Sequence, residues 1–357
     1  MIQCGYEQLK TFAEQVFLKM GLPASSAADA ARVLLSADLR GVDSHGVARL
    51  SGYVRLWDAG RIQTNTSPFI EHETPSTAVV DGNAGLGLCV APYAMQVAID
   101  KAAQVGTGWV SVHNSSHFGI AGVHAMMALP HDMIGIAFTN ASPLVAPTFS
   151  KDRMLGTNPI AVAIPAGEEP PFVADFATTT AANGKLEILQ RKKESAPLGW
   201  IQTQEGAPTT DASALKQGGA LLPLGGDREH SSHKGFMLGS IVDIFSGVLS
   251  GANFGKYVPP FPAYIAMPSF MPGKGIGHFF GAMRIDGFRK AADFKKDMDT
   301  WIRDMRAAAP IHPEQTVVIP GDPERTETAH RLQHGIDLME EVYDDLQQVA
   351  QRFSLNL

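Results

Sequence analysis

The spacing of apolar side chains changes once along this chain, and that change limits what it can fold into. Up to about residue 60 they return at helical intervals. Leu9, Phe12, Ala13, Val16, Phe17 and Met20 fall on one stripe. Gly21 and Pro23 end that helix. Ser25 or Ser26 can cap the next, which passes through Ala30, Val33, Leu34 and Leu39 to Gly41. A third helix is expected from near Ser44 to Gly60. From Thr77 onward, short strands alternate with helices. Strands are expected at 78–81, 108–113, 133–140, 159–165 and 171–176, with helices at 89–105 and 119–129. This alternation predicts an α/β fold with α+β character.

The remainder is read in the same way. Residues 190–229 are rich in Gly, Pro, Ser and Thr and predict a largely irregular excursion, a length often tied to function. A helix follows at 234–251, a strand at 277–285, a helix at 292–308 and a final strand at 316–319. Residues from about 324 to 353 form one long helical pattern.

A chain of 357 residues has room for two or three cores. A net charge of -7 argues against a nucleic-acid or anionic membrane partner, since neither would meet a basic surface. Two cysteines, Cys4 and Cys89, make no disulfide framework. The apolar stretch 235–251 is interrupted by Asp243 and reads as a buried helix rather than a membrane span. The N-terminus lacks the pattern of a signal peptide, so the expected location is the cytoplasm.

Several short runs could carry chemistry. On a helix starting near Ser44, the residues His45, Arg49 and Tyr53 share one face. That face offers a proton-transfer group, a carboxylate fork and a phenol; a capped helix with a polar surface stripe is the bland alternative. His113, His117 and His124 cluster where a strand meets a helix. They are candidates for catalysis, for metal ligation in a lyase or hydrolase, or for hydrogen bonding in a core. Thr157 and Asn158 occupy a turn at a strand end. Asp175, Phe176, Ala177, Thr178 and Thr179 follow a strand and can bind phosphate or cap a helix. Lys234 and Gly235 open a helix, a fair phosphate site or simply a solvated turn. No GxGxxG, Walker A or GxSxG motif is present, so a standard Rossmann dehydrogenase is not supported.

Taken together, Asp38-Leu-Arg-Gly-Val-Asp-Ser-His-Gly-Val-Ala-Arg-Leu50, Ser116-His-Phe-Gly, Leu155-Gly-Thr-Asn-Pro159, Asp175-Phe-Ala-Thr, Leu222-Pro-Leu-Gly-Gly226, Lys234-Gly235 and Pro320-Gly321 resemble the type 2 malate/L-lactate dehydrogenases. The resemblance covers nearly the whole chain. It implies a non-Rossmann NAD(P)-binding sheet domain, residues 116–289, inserted in a mixed helical and sheet domain made of 1–115 and 290–357. It implies NAD or NADP as cofactor, no metal, a small 2-hydroxy or 2-oxo acid such as malate or lactate as substrate, and a homodimer. Reduction of a cyclic imino acid or a sugar keto acid is the alternative.

The roles implied by the resemblance are as follows. His45, with Ser44 beside it, matches the proton donor of some members and His117 the acid/base of others; the strand end before it and Gly119 and Gly122 after it favour His117 as the acid/base here. Arg49 and Tyr53 hold the substrate, with Thr157 and Asn158 nearby. Ser142, Asp175 to Thr179, Lys234, Gly235, Pro320 and Gly321 line the cofactor.

Overall fold

The computed structural model describes residues 1–357, apart from the side chain of Arg191. A short strand β1 (Ile2–Cys4) leads into α1 (Tyr6–Lys19), α2 (Ala24–Leu39) and α3 (Leu50–Asp58). The stripe read from the sequence is the buried face of α1. Next come β2 (Phe69–Glu73), β3 (Thr77–Asp81), α4 (Gly87–Val105), β4 (Thr107–Ser115), the short α5 (Ala121–Ala125) and β5 (Met133–Thr139). β6 (Ile160–Ile164), β7 (Phe172–Phe176) and α6 (Asn183–Lys192) follow. The 190–229 excursion is less irregular than expected. It holds the two-residue strands β8 (Ile201–Gln202), β9 (Pro208–Thr209) and β10 (Ala220–Leu221), which form a small sheet of their own. Then come α7 (Ser232–Asp243), extended by a π-helical turn at Ile244–Val248, β11 (Ile276–Arg284) and α8 (Ala291–Arg306).

The C-terminal reading needs correction. Residues 316–319 pair with no strand. The single long helix is two, α9 (Asp322–His334) and α10 (Glu340–Phe353), separated by β12 (Ile336–Leu338). Gly335 makes the break at φ +90°, a conformation costly for any residue with a side chain. β12 then pairs antiparallel with β1, so the two ends of the chain close one small sheet.

The main sheet has seven strands in the order β2-β3-β4-β11-β5-β6-β7. Only β3 and β4 are parallel, joined through α4; the other neighbours are antiparallel. β11 arrives late in the chain and lies at the centre, where its residues are almost all buried. One core packs the sheet against α4 and α5. A second joins α1, α2 and α3 with α10 and the β1–β12 pair. The catalytic candidates lie where these two bodies meet.

Candidate active site

Asp38 decides the local geometry. It lies buried near the end of α2 and accepts the Val47 N–H at 2.9 Å. Its carboxyl occupies the place where a Cβ on Gly46 would stand, 2.1 Å away, so residue 46 tolerates no side chain. Burial pushes the Asp38 carboxyl up to about 8. The helix expected from Ser44 therefore does not form. Residues 43–46 turn, Val47–Arg49 make one 3-10 turn, and α3 begins at Leu50. His45 is not on one helical face with Arg49 and Tyr53.

The turn nevertheless gathers these groups. Ser44 Oγ lies 2.8 Å from His45 Nδ1, and Arg49 Nε donates to the Ser44 carbonyl at 2.6 Å. From α9, Arg331 pairs with Asp43 and donates to the Asp38 carbonyl at 2.7 Å, bracing the turn from outside. Tyr53 is completely buried, and its hydroxyl lies 2.6 Å from His117 Nδ1. The Gly119 N–H reaches the same nitrogen at 3.4 Å. The rings of His45 and His117 stack with centroids 5.6 Å apart. Sequence spacing thus separates the two histidines by 72 positions, and the fold makes them neighbours.

Electrostatics keep both rings neutral. Burial, and then the Arg49 charge, pull His45 down to about 4. Burial lowers His117 well below the usual histidine range, reinforced by His45, Arg49 and His278. Tyr53 is held in its neutral phenol form by burial. Arg49 has no ion pair among the described residues; its guanidinium lies 5.6 Å from the Phe261 ring centre. A cation without a counter-ion beside neutral histidines favours an anionic ligand.

Two cavities lie on either side of this group of residues. The larger, about 860 Å³, is lined by Ser44, His45, Arg49, Thr157, Asp175, Phe176 and Ala177, with Lys185 and Arg40 as further cations. The smaller, about 370 Å³, is lined by His117 and Phe261. The larger falls within the range of roughly 300–1,000 Å³ common for small-molecule and cofactor sites. Asp175 accepts the Gly122 N–H at 2.7 Å, and burial pushes its carboxyl up to about 6.

The other sequence candidates lie around this core or turn away from it. Asn158 is fully buried, its amide accepting from Ala141 N–H at 3.2 Å and donating to the Gly239 carbonyl at 2.9 Å. The hydroxyls of Thr178 and Thr179 bond to backbone carbonyls. Ser142 Oγ accepts the Phe261 N–H at 2.9 Å. Lys234 is exposed, while Gly235 is buried against the backbone of Leu224. The Pro320 carbonyl accepts the Val173 N–H at 3.0 Å, and Gly321 caps α9 at φ +101°.

The chain matches the malate/L-lactate dehydrogenase family over residues 4–347. It is 40% identical over 353 residues to a malate dehydrogenase of Pyrococcus horikoshii, covering 98% of this chain and 95% of that one. It is 36% identical to a malate/(S)-sulfolactate dehydrogenase of Methanothermus fervidus, covering 98% of each. The crystal structure of malate dehydrogenase from Entamoeba histolytica superposes with a TM-score of 0.92 at 32% identity, covering 100% of this chain and 99% of that one. The chain belongs to the malate/L-lactate dehydrogenase family. It is an oxidoreductase of 2-hydroxy acids, and membership implies a nicotinamide cofactor.

In this dehydrogenase the three histidines of the 113–124 cluster do not converge. His113 bonds Glu71 at 2.9 Å, His117 faces Tyr53, and His124 bonds the Phe118 carbonyl at 2.9 Å. Among the described residues no three His, Cys, Asp or Glu side chains are grouped to hold a metal ion, so the metal-dependent lyase or hydrolase has no ligand set here. Sequence reasoning missed Lys185 and Phe261, which no motif marks, and gave no separate role to Asp38.

Proposed function

We propose that this dehydrogenase oxidises a small 2-hydroxy acid such as malate or lactate, or reduces the matching 2-oxo acid, with NAD or NADP. The observation that carries this reading is Arg49, a cation without a counter-ion among the described residues, next to the stacked His45–His117 pair between two cavities. The guanidinium holds the substrate carboxylate with paired N–H donors. The C2 oxygen then lies against the histidines. Once the carboxylate offsets the Arg49 charge, one of the lesser causes of the lowered histidine pKa values is removed, while burial remains.

His117 is the acid/base in this reading. Tyr53 engages Nδ1 and leaves Nε2 to exchange a proton with the C2 oxygen. For Nε2 to take and return that proton, Nδ1 keeps its own in both states and donates it to the Tyr53 oxygen. His45, oriented by Ser44, steers the same oxygen. A nicotinamide, held by Asp175, Phe176 and Ala177, would supply the hydride chemistry at C2 when bound.

The cofactor's place in this reading is the large cavity, along Asp175, Phe176 and Ala177, with Thr157 toward the substrate. Its volume suits a dinucleotide held without a Rossmann fingerprint, and its lining carries the cations Lys185 and Arg40 among carboxylates such as Asp175 and Glu324. Ser142, Thr178, Thr179, Lys234, Gly235, Pro320 and Gly321 complete the set that the family resemblance implies, and Asn158 supports it from behind. The division into 116–289 for cofactor and 1–115 with 290–357 for substrate and dimerisation belongs to the same proposal; the seven-stranded sheet joins both parts.

We also infer a homodimer in the cytoplasm. α7 and its π-helical extension leave Met237, Ile241, Ile244, Val248 and Leu249 exposed, an apolar face suited to a second copy. No helix is long and apolar enough to cross a membrane. Absorbance assays with NADH and NADPH against a panel of 2-oxo acids and cyclic imines test the activity. Turnover of cyclic imines alone would replace the hydroxy-acid reading.

A further inference from the structure

The two cavities lie on opposite sides of a wall of packed side chains. His45 and Arg49 line the large one, whereas His117 and Phe261 line the small one. Phe261 is the only part of that wall with no polar group to offer a substrate. Its ring sits 4.9 Å from the His117 ring and 5.5 Å edge-on to Tyr53, and it carries the Arg49 guanidinium on its face at 5.6 Å. It thus touches three of the groups assigned to substrate and proton.

The ring is held in this place. Ser142 Oγ accepts its backbone N–H. On α3, Gly52 leaves a groove for it, because a Cβ there would lie 2.6 Å from the ring. Behind it the small cavity is largely apolar, with Leu56, Ile62, Pro260, Met267 and Met271 in its lining.

We propose that Phe261 is the specificity-determining residue, the wall at which the substrate's side chain ends. The inference rests on the reading above, with the carboxylate on Arg49 and the C2 oxygen at the histidines. In that pose the C3 substituent meets the part of the wall that the ring fills. An acid with one or two side-chain carbons stops short of the ring. A longer apolar side chain needs the small cavity, which the ring closes off.

The test is a ratio measured on one protein: kcat/KM for 2-oxohexanoate over kcat/KM for pyruvate, with the preferred reduced cofactor. Wild type should favour pyruvate. Each newly buried methylene gives about a fourfold gain, so three more carbons allow roughly a 50-fold rise. Phe261→Ala should raise the ratio tenfold or more, and Phe261→Leu, which keeps the loop packed, should raise it by less. Phe261→Trp should lower it. A general loss of stability moves numerator and denominator together and leaves the ratio unchanged. If wild type reduces pyruvate and the ratio rises less than tenfold in folded Phe261→Ala, the wall lies elsewhere and the inference is overturned. Folded Ala and Leu variants inactive on both acids would overturn it too, since the ring would then serve catalysis itself. Should Phe261→Ala not fold, an unchanged ratio in Phe261→Leu overturns it alone. Wild type inactive on every 2-oxo acid with both cofactors would bring down the reading beneath, and the inference with it.

Discussion

The molecule contains two groups of histidines with lowered basicity, and they do opposite things. His45 and His117 stack between the two cavities beside Arg49. His124 and His278 lie fully buried on either side of Phe118. Burial pulls His124 down to about 4 and His278 to about 3, as far as it pulls His45. The difference is in their partners. His278 spends both nitrogens on hydroxyls, Thr139 at 2.7 Å and Ser115 at 2.8 Å, and tethers β11 to β4 and β5. His45 and His117 each keep a face toward a cavity and an unpaired cation. A shifted pKa therefore does not by itself mark a site; access and an unmatched charge do.

The sharpest way to break this contrast is to delete one ring from each group. Loss of an acid/base should reduce turnover by roughly two to four powers of ten. His117→Ala should show that loss while still binding NADH by fluorescence. His45→Ala should mainly raise the KM for the acid. If His45→Ala abolishes turnover and His117→Ala changes only KM, the two roles must be exchanged.

Arg49→Lys comes next in size. An ammonium lacks the planar fork, so the KM for the acid should rise by about ten- to a hundredfold, on the scale of a lost charge-assisted hydrogen bond. Cofactor affinity by titration should stay near wild type. Equal losses for acid and cofactor would make Arg49 a structural residue.

His278→Ala should act on stability instead. It removes one partner from each of two buried hydroxyls and leaves a cavity behind, with a loss of about 2–4 kcal/mol in denaturant melts. Turnover per folded molecule should fall far less than in His117→Ala, since His278 acts on His117 only as a minor cause of its lowered pKa. A collapse of turnover at unchanged stability would draw His278 into the active site.

The smallest effect is on pH. A histidine whose folded pKa is depressed stabilises the fold above its unfolded pKa, near 6.5, and that stability is lost as pH falls toward the folded value. For His124 and His278 the window runs from about 6.5 down to about 4 and about 3. Each contributes a slope of at most about 1.4 kcal/mol per pH unit. The melting temperature should therefore drop between pH 7 and pH 5. His124→Phe, which removes one of the two, should make that drop shallower. An equal slope in the variant would mean that other groups carry it.

Much of this was legible in the sequence wherever interactions are local. The stripe Leu9 to Met20 read as a buried helical face and is one, and strands 133–139 and 172–176 were found within a residue or two. Arg49 and Tyr53, four apart, do bracket the start of one helix. The readings that failed were those that a distant partner controls. Spacing put His45 on that helix, but Asp38 captures the Val47 N–H and bends the chain. Residues 324–353 kept a helical pattern, yet Gly335 and the pairing of Ile336–Leu338 with Ile2–Cys4 divide them.

What the sequence by itself determined is therefore the kind of parts: which segments bury one face, which turns need glycine, which residues bear protons and charge. These follow from backbone sterics and from side-chain chemistry, which act over a few residues. Tertiary structure alone decided which parts meet. It set β11 between β4 and β5, stacked His117 on His45 and pressed Phe261 against both His117 and Arg49. Such contacts join segments tens to hundreds of positions apart, and only the packing of whole sheets and helices brings them into register.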